Sequence, residues 1–131
     1  MLGIDTNVLV QYLVKDDQPQ FEKSRRLINR EVSARAPVLV SLIVLLEAEW
    51  VLRSRYEFAK SDILTAFAAL LDAAELVFED EPSIEHAIYA WKDSTAEFVD
   101  CLINARNRRL GCRATATFDG NALKLDGFIS V

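Results

Sequence analysis

Four carboxylates, each beside an apolar stretch, are the side chains of this chain whose types and positions suggest chemistry. They are Asp5, Glu47, Asp100 and Asp119. Removing a carboxylate from water costs several kcal/mol, and a divalent cation is the obvious compensation. An oxygen-only set without His or Cys suits a hard cation, so these residues predict a site for Mg²⁺ or Mn²⁺. Such a site commonly activates water for attack on a phosphodiester.

Each acid also has an ordinary structural explanation. Asp5 can simply cap the first helix, and Asp119 precedes Gly120 in a common turn dipeptide. Glu47 is harder to explain, because most of its neighbours are apolar and glutamate is rarely buried unless it is paired. Glu49 is its competitor, and it ranks second because it lies two positions round the helix on another face. The metal hypothesis therefore depends on the coincidence of the four acids.

The late acid Asp100 shares a helical face with other polar residues. Glu97, Asp100 and Asn104 stand at i, i+3 and i+7, so their face is either functional or simply solvated. Crowded carboxylates repel one another, and we expect at least one of them to have a raised pKa without metal. Activity should therefore fall in acid.

Short apolar strands alternate with helical patterns along the chain, which is typical of parallel βαβ units. We predict strands at residues 2–4, 38–40, 75–78, 114–118 and 128–131. Thr6 or Asn7 should cap the first helix, and Ser41 the third. The pattern predicts a three-layer α/β/α sandwich with a central, mainly parallel sheet, formed by residues 1–131 as one domain. Acids that follow such strands would converge at the carboxyl ends of the sheet.

The composition excludes several classes of protein. Hydrophobic residues make up 51% of the chain and charged residues 27%, which describes a globular protein and not a disordered one. The net charge of −5 argues against a general nucleic-acid coat, although not against a nucleic-acid enzyme. The longest apolar stretch is too short to span a bilayer, and without a basic leader we expect a cytoplasmic protein.

The Cys, His and Trp residues receive structural roles. Cys101 and Cys112 are expected to be unpaired core residues. His86, the only histidine, should be exposed, and without a second imidazole it cannot form a zinc site or a conventional triad. Trp50 and Trp91 are interpreted as core or interface aromatics.

At the four acids the sequence resembles PIN-domain ribonucleases of the VapC toxin type, and the resemblance runs from end to end. Each motif is weak alone, but their order and spacing are specific. The motifs are Ile4-Asp5-Thr6-Asn7-Val8-Leu9, Val44-Leu45-Leu46-Glu47-Ala48-Glu49-Trp50-Val51-Leu52, Phe98-Val99-Asp100-Cys101-Leu102-Ile103 and Ala116-Thr117-Phe118-Asp119.

The resemblance implies a Mg²⁺- or Mn²⁺-dependent endoribonuclease, usually dimeric, which acts as the toxin of a type II toxin–antitoxin pair. Its cognate antitoxin would lay a tail across the acidic groove. Asp5 and Asp100 match the firmest metal ligands, and Glu47 and Asp119 would hold metal, water or a second ion. The residues that match supporting positions are Thr6, Asn7, Glu97 and Thr117. Asn104 departs from the family pattern, where a small apolar residue is expected, and the segment after Asp119 is short and atypical.

Three other interpretations remain open. A phosphatase of the haloacid dehalogenase type needs a second Asp two residues after Asp5, where this chain has Asn7. A receiver-like signalling domain would need a phospho-acceptor in mid-sheet, and only Asp80 follows a predicted strand closely enough. A non-catalytic PIN-like module would bind a partner without cutting RNA, but the intact set of four acids argues against it.

Overall fold

Strands alternate with helices along the whole chain, as predicted, in a computed structural model that describes residues 1–131. The strands are β1 (Leu2–Gly3), β2 (Val38–Val40), β3 (Leu76–Phe78), β4 (Thr115–Thr117) and β5 (Phe128–Ser130). The helices are α1 (Thr6–Val14), α2 (Gln18–Ser33), α3 (Leu42–Ser54), α4 (Lys60–Asp72), α5 (Glu81–Lys92) and α6 (Phe98–Arg109). A short 3-10 helix, Ala122–Lys124, precedes β5. The chain divides into two compact units, Met1–Glu79 and Asp80–Val131, so the single domain of residues 1–131 remains a prediction.

The first unit contains a three-stranded sheet in the order β1, β2, β3. Both pairings are parallel, with Leu2 opposite Val38 and Val38 opposite Leu76. The middle strand consists only of apolar residues, and the side chains of Val38 and Val40 are fully buried. Helices α1, α2, α3 and α4 contribute the other large, fully buried side chains of the unit, which are Leu9, Ile28, Leu45, Leu52, Ile63 and Phe67.

Helix starts in the first unit follow local capping chemistry. Ser41 caps α3 as predicted, because its Oγ accepts a hydrogen bond from the Val44 N–H at 3.3 Å. The predicted cap of α1 at Thr6 or Asn7 is wrong. The cap is Asp5, whose backbone is extended and whose Oδ1 accepts from the Val8 N–H at 3.0 Å. Thr6 is instead the first residue of the helix and is buried.

Tyr12 joins α1 to the residue that precedes β3. Its hydroxyl donates a hydrogen bond to Glu75 Oε1 at 2.8 Å. Burial, and then the hydrogen bond and negative charge of Glu75, raise the pKa of Tyr12 from 10.0 to about 12. The neutral phenol is therefore favoured in the folded protein, and its contribution to stability is complete below the unfolded pKa.

We expect the free energy of unfolding to fall less at alkaline pH in Tyr12→Phe than in the wild type. The wild-type chain should lose roughly 1 kcal/mol of its free energy of unfolding as the pH rises from the unfolded pKa through the folded one, less than the full shift implies because Tyr12 is only partly buried, and the phenylalanine variant lacks this loss. Urea unfolding at a series of pH values measures the difference between the two proteins. Lysines titrate in the same range and contribute equally to both proteins. If the free energy of unfolding depended on pH equally in the two proteins, Tyr12 would contribute nothing to that dependence.

The second unit pairs two helices with a two-stranded sheet. Strands β4 and β5 are parallel, with Thr115 opposite Phe128. Trp91 of α5 and Phe98 of α6 pack with their ring centroids 5.1 Å apart. Helix α6 ends as predicted near Gly111, whose φ of 95° lies in the left-handed region that glycine accommodates. All strand pairs are thus parallel, but they form two separately hydrogen-bonded sheets.

Asp80 organises the start of the second unit. Its φ is 52°, and its carboxylate accepts from Ser83 Oγ at 2.6 Å, Arg106 Nη1 at 2.7 Å and Arg109 Nε at 2.9 Å. Burial alone would raise the pKa of Asp80, but the bonds from Ser83 and the two guanidinium groups outweigh burial and lower it. One carboxylate therefore caps α5 and ties it to the last turns of α6.

The cysteine, histidine and tryptophan side chains differ in their exposure. Cys101 is buried and both cysteines are free, as predicted, but Cys112 is exposed because it follows the end of α6. His86 is exposed, as predicted. Trp91 is in the core, whereas Trp50 is 52% exposed. None of the helices combines the length and the apolarity that a membrane span requires.

Candidate active site

Asp5 lies where the chain leaves β1 and enters α1. The side chain is exposed, and one carboxylate oxygen is engaged by the Val8 N–H of the helix start. This bond fixes the carboxylate relative to the backbone, and it leaves Oδ2 without a hydrogen bond. The capping role that the sequence suggested for Asp5 is therefore real, and it is compatible with a second role as a ligand.

The sequence suggested that Glu47 is the buried glutamate of α3 and that Glu49 lies on another face, but the structure shows the reverse. Glu47 is exposed, whereas Glu49 is only 4% exposed. The buried stripe of α3 passes through Leu45, Ala48, Glu49 and Leu52, which places Glu49 on the core side. Glu49 is compensated by Arg53, whose Nε donates to Oε1 at 3.0 Å. The i, i+4 spacing of Glu49 and Arg53 was the signal that could have revealed this pair.

Asp100 sits in the first turn of α6, close enough to two other acids to be affected by their charge. Partial burial, and then the negative charges of Asp119 and Glu97, raise the pKa of Asp100. Glu97 occupies the N-cap position of α6 but makes no side-chain cap. The predicted crowding of carboxylates is therefore present within the second unit. The ionised form of Asp100 lacks a compensating partner there, which a bound cation could provide.

Asp119 follows β4 and is held by the turn after it. Its Oδ1 accepts from the N–H groups of Asn121 at 2.8 Å and Ala122 at 3.2 Å, and these bonds start the short 3-10 helix. Its own N–H donates to Thr117 Oγ1 at 3.0 Å. The short segment after Asp119 thus fixes the carboxylate while Oδ2 stays unengaged, which is the arrangement already seen at Asp5.

The four acids are more exposed than the sequence suggested. Asp5, Glu47 and Asp119 are exposed and Asp100 is partly exposed, so none of the four acids is fully buried. Asp5 and Asp119 follow strands, and Asp100 lies in the first turn of a helix. Side chains at such positions reach solvent. Glu47 lies on the outer face of α3. In neither unit do three His, Cys, Asp or Glu side chains already stand in a metal-binding cluster. What favours a cation is the oxygen-only chemistry of the donors and the repulsion at Asp100.

Asn104, the departure from the family pattern, has a structural explanation. Its Nδ2 donates to the Asp126 carbonyl at 2.8 Å, and its Oδ1 accepts from Thr115 Oγ1 at 3.3 Å. The side chain therefore ties α6 to β4 and to the segment before β5. Gly127 has a φ of 97°, which disfavours any other residue, and a Cβ there would also lie 2.8 Å from Asn104 Oδ1. The amide thus serves the packing of the second unit.

A groove of about 830 Å³ in the second unit was not suggested by the sequence. Exposed side chains of α5 and α6 line it, including His86, Tyr89, Arg108 and Arg109. None of Glu97, Asp100 and Asp119 lines this groove. The acids of the second unit that could act on a phosphodiester therefore do not line this groove.

The family model of the PIN domain matches residues 3–127, and the chain therefore belongs to the PIN domain family. It is similar to a VapC ribonuclease of Aquifex aeolicus (strain VF5), with 23% identity over 128 residues. The similarity covers 98% of this chain and 93% of that relative. The resemblance drawn from the motifs is confirmed, and with it the PIN-like α/β/α fold class. Family membership also excludes the receiver-like and haloacid dehalogenase interpretations.

Proposed function

We propose that the chain is a metal-dependent endoribonuclease of the VapC type, which hydrolyses RNA phosphodiester bonds. The observation that carries the proposal is the set of acids Glu97, Asp100 and Asp119 in a PIN domain, where partial burial and then the charges of Asp119 and Glu97 raise the pKa of Asp100. The similarity to a VapC ribonuclease supports the choice of RNA as substrate.

Asp5 and Asp100 would be the principal ligands of Mg²⁺ or Mn²⁺, with Glu47 and Asp119 holding metal or water. The bound ion would lower the pKa of a water molecule, orient it and stabilise charge that develops on the phosphate. Asp5 and Asp119 are suited to this task, because each has one oxygen fixed by backbone N–H groups and the other unengaged. Such preorganisation reduces the cost of forming the site.

The supporting residues would act on the acids. Thr117 accepts the N–H of Asp119 and so helps to set the turn that carries this carboxylate. Thr6 and Asn7 open α1 directly after Asp5, and Glu97 adds negative charge beside Asp100. As a toxin, the protein would act in the cytoplasm as a homodimer, and a cognate antitoxin would neutralise it by covering the acids.

The two glutamates of α3 provide a matched test of this proposal. We expect Glu47→Gln to reduce cleavage of a mixed RNA pool by at least about a hundredfold, since the loss of a ligand charge removes a few kcal/mol of transition-state stabilisation. Glu49→Gln should retain most of the activity but lower the thermal midpoint, because it removes the charge of a buried carboxylate that pairs with Arg53. Cleavage assays and thermal unfolding on both variants measure these effects.

If Glu49→Gln were inactive at a temperature where it is fully folded, and Glu47→Gln were active, the catalytic glutamate would be Glu49. If the wild type bound metal but cleaved no RNA, the non-catalytic partner-binding interpretation would replace the proposed function.

A further inference from the structure

Trp50 is exposed on the same helical face as Glu47. Residues 43, 47 and 50 stand at i, i+4 and i+7 of α3, and all three are exposed, with Ile43 at 78% and Trp50 at 52%. The Trp50 indole makes no ring contact and its N–H has no partner. The carboxylate of Glu47 makes no hydrogen bond or ion pair either. A proposed catalytic acid therefore lies between two apolar side chains that folding leaves uncovered.

Of the two tryptophans of the chain, only Trp50 is exposed. Trp91 is 4% exposed and packs on Phe98, so it serves the core. The ring of Trp50 packs against no other ring, although its backbone is fixed in the middle of a 13-residue helix. A rigid aromatic surface that contributes little to the core is suited to binding.

Charge indicates what would cover the ring. The core of a protein–protein interface is depleted of charged residues, and a protein partner that covered this face would have to supply a cation to the unpaired carboxylate of Glu47. A nucleobase stacked on Trp50 covers only the ring and leaves Glu47 accessible. Arg53, three residues beyond Trp50, is 48% exposed although it pairs with Glu49. It lies about 9 Å from Glu47 along the helix axis, and it offers a cation to the phosphate backbone.

We propose that Trp50 binds an unpaired nucleobase of the RNA substrate by stacking, next to the phosphodiester that is cut. The inference rests on the proposed nuclease function, and it assigns to Trp50 a contact with the RNA beside the proposed catalytic acid Glu47. Bases within a duplex are stacked on their neighbours and cannot offer a face to Trp50. Base stacking on aromatic side chains contributes to the binding of single strands with little dependence on sequence.

The test compares Trp50→Ala and Trp50→Phe with Tyr89→Ala, which removes a still more exposed aromatic from α5. We expect Trp50→Ala to raise the KM for an unpaired RNA oligonucleotide about 5- to 150-fold, with little change in kcat. Trp50→Phe should keep most of the affinity, and Tyr89→Ala should match the wild type. The same oligonucleotide should also quench tryptophan fluorescence in wild type but not in Trp50→Ala, because the remaining Trp91 is buried.

A change on the RNA side checks the result without altering the protein's fold. An oligonucleotide with a single abasic nucleotide, moved stepwise past the cleaved bond, should bind wild type weakly at one position only. At that position Trp50→Ala should lose no further affinity, as expected when both changes remove one contact.

Equal KM values for wild type and Trp50→Ala, both folded and both cleaving RNA, would overturn the inference while leaving the nuclease intact. Loss of self-association by Trp50→Ala in light scattering, with unchanged RNA binding, would also overturn it and assign the ring to a protein contact. If the wild type neither bound nor cut RNA, the proposed function itself would fail, and the inference with it.

Discussion

Asp100→Asn is expected to abolish RNA cleavage without destabilising the protein. A metal ligand stabilises the transition state by several kcal/mol, so the loss should be roughly a thousandfold in kcat/KM. Asp100 also has a raised pKa, caused by partial burial and by the charges of Asp119 and Glu97. A carboxyl whose folded pKa exceeds its unfolded value destabilises the fold at pH values above both. Removing that charge at neutral pH should therefore leave the thermal midpoint unchanged or raise it.

Cleavage and thermal unfolding, measured together, distinguish a metal ligand from a residue that stabilises the fold. Cleavage is measured with saturating Mn²⁺, and thermal unfolding with chelator, so that a bound cation does not mask the repulsion. Asp93→Asn is the matched control, because Asp93 is an exposed acid of the same unit that lies outside the proposed site. A large fall in the midpoint of Asp100→Asn would show that Asp100 holds the fold together, and its role as a ligand would lose its support.

The second large effect is expected at Asp80, and on stability alone. Asp80→Asn keeps the size of the side chain and tolerates the positive φ of 52°, but it removes the charge that two arginines share. The side chain of Asp80 is only 6% exposed, while Arg106 and Arg109 are 38% and 49% exposed, which reduces the cost. We expect a loss of about 2 kcal/mol, or roughly 5–10 °C in the thermal midpoint.

The pH dependence of this effect has a definite sign. The pKa of Asp80 is lowered, because the hydrogen bonds and guanidinium groups outweigh burial. The ionised side chain therefore contributes stability above the unfolded pKa, and the contribution is lost as the pH falls through the folded pKa. Wild type and Asp80→Asn should differ at pH 7 and converge in strong acid. An equal difference at both pH values would show that ionisation of Asp80 does not contribute to the effect.

The regular elements could be predicted from the sequence because their signals are local. Strand β2 has the predicted bounds, and the cap of α3 at Ser41 follows from its side chain and the apolar run behind it. Asp80 could not be found in this way. Its partners Arg106 and Arg109 lie more than 25 residues away, and no local pattern indicates that these residues meet.

In the candidate site, too, local sequence signals predicted some features, while others depended on packing. The motifs led to the PIN family, but the burial of individual acids depended on packing. Glu47 and Glu49 are two residues apart in an apolar helix, and only the position of the core decides which is covered. The sequence singled out the four carboxylates for the wrong physical reason, since three of them are exposed and none is fully buried. Asn104 departed from the family pattern for a reason visible only in three dimensions, namely its bonds to Asp126 and Thr115.

The most direct test of the central claim is cleavage of a mixed pool of transfer, ribosomal and messenger RNA by the purified protein. The reaction is run with Mg²⁺, with Mn²⁺ and with chelator, beside Asp5→Gly as a variant that loses the carboxylate and Asp5→Asn as one that keeps the cap on α1. The proposed function predicts discrete products with either metal, none with chelator, and none with either variant. Products that persist in chelator, or that Asp5→Asn forms at the wild-type rate, would contradict a metal-dependent site built on these acids.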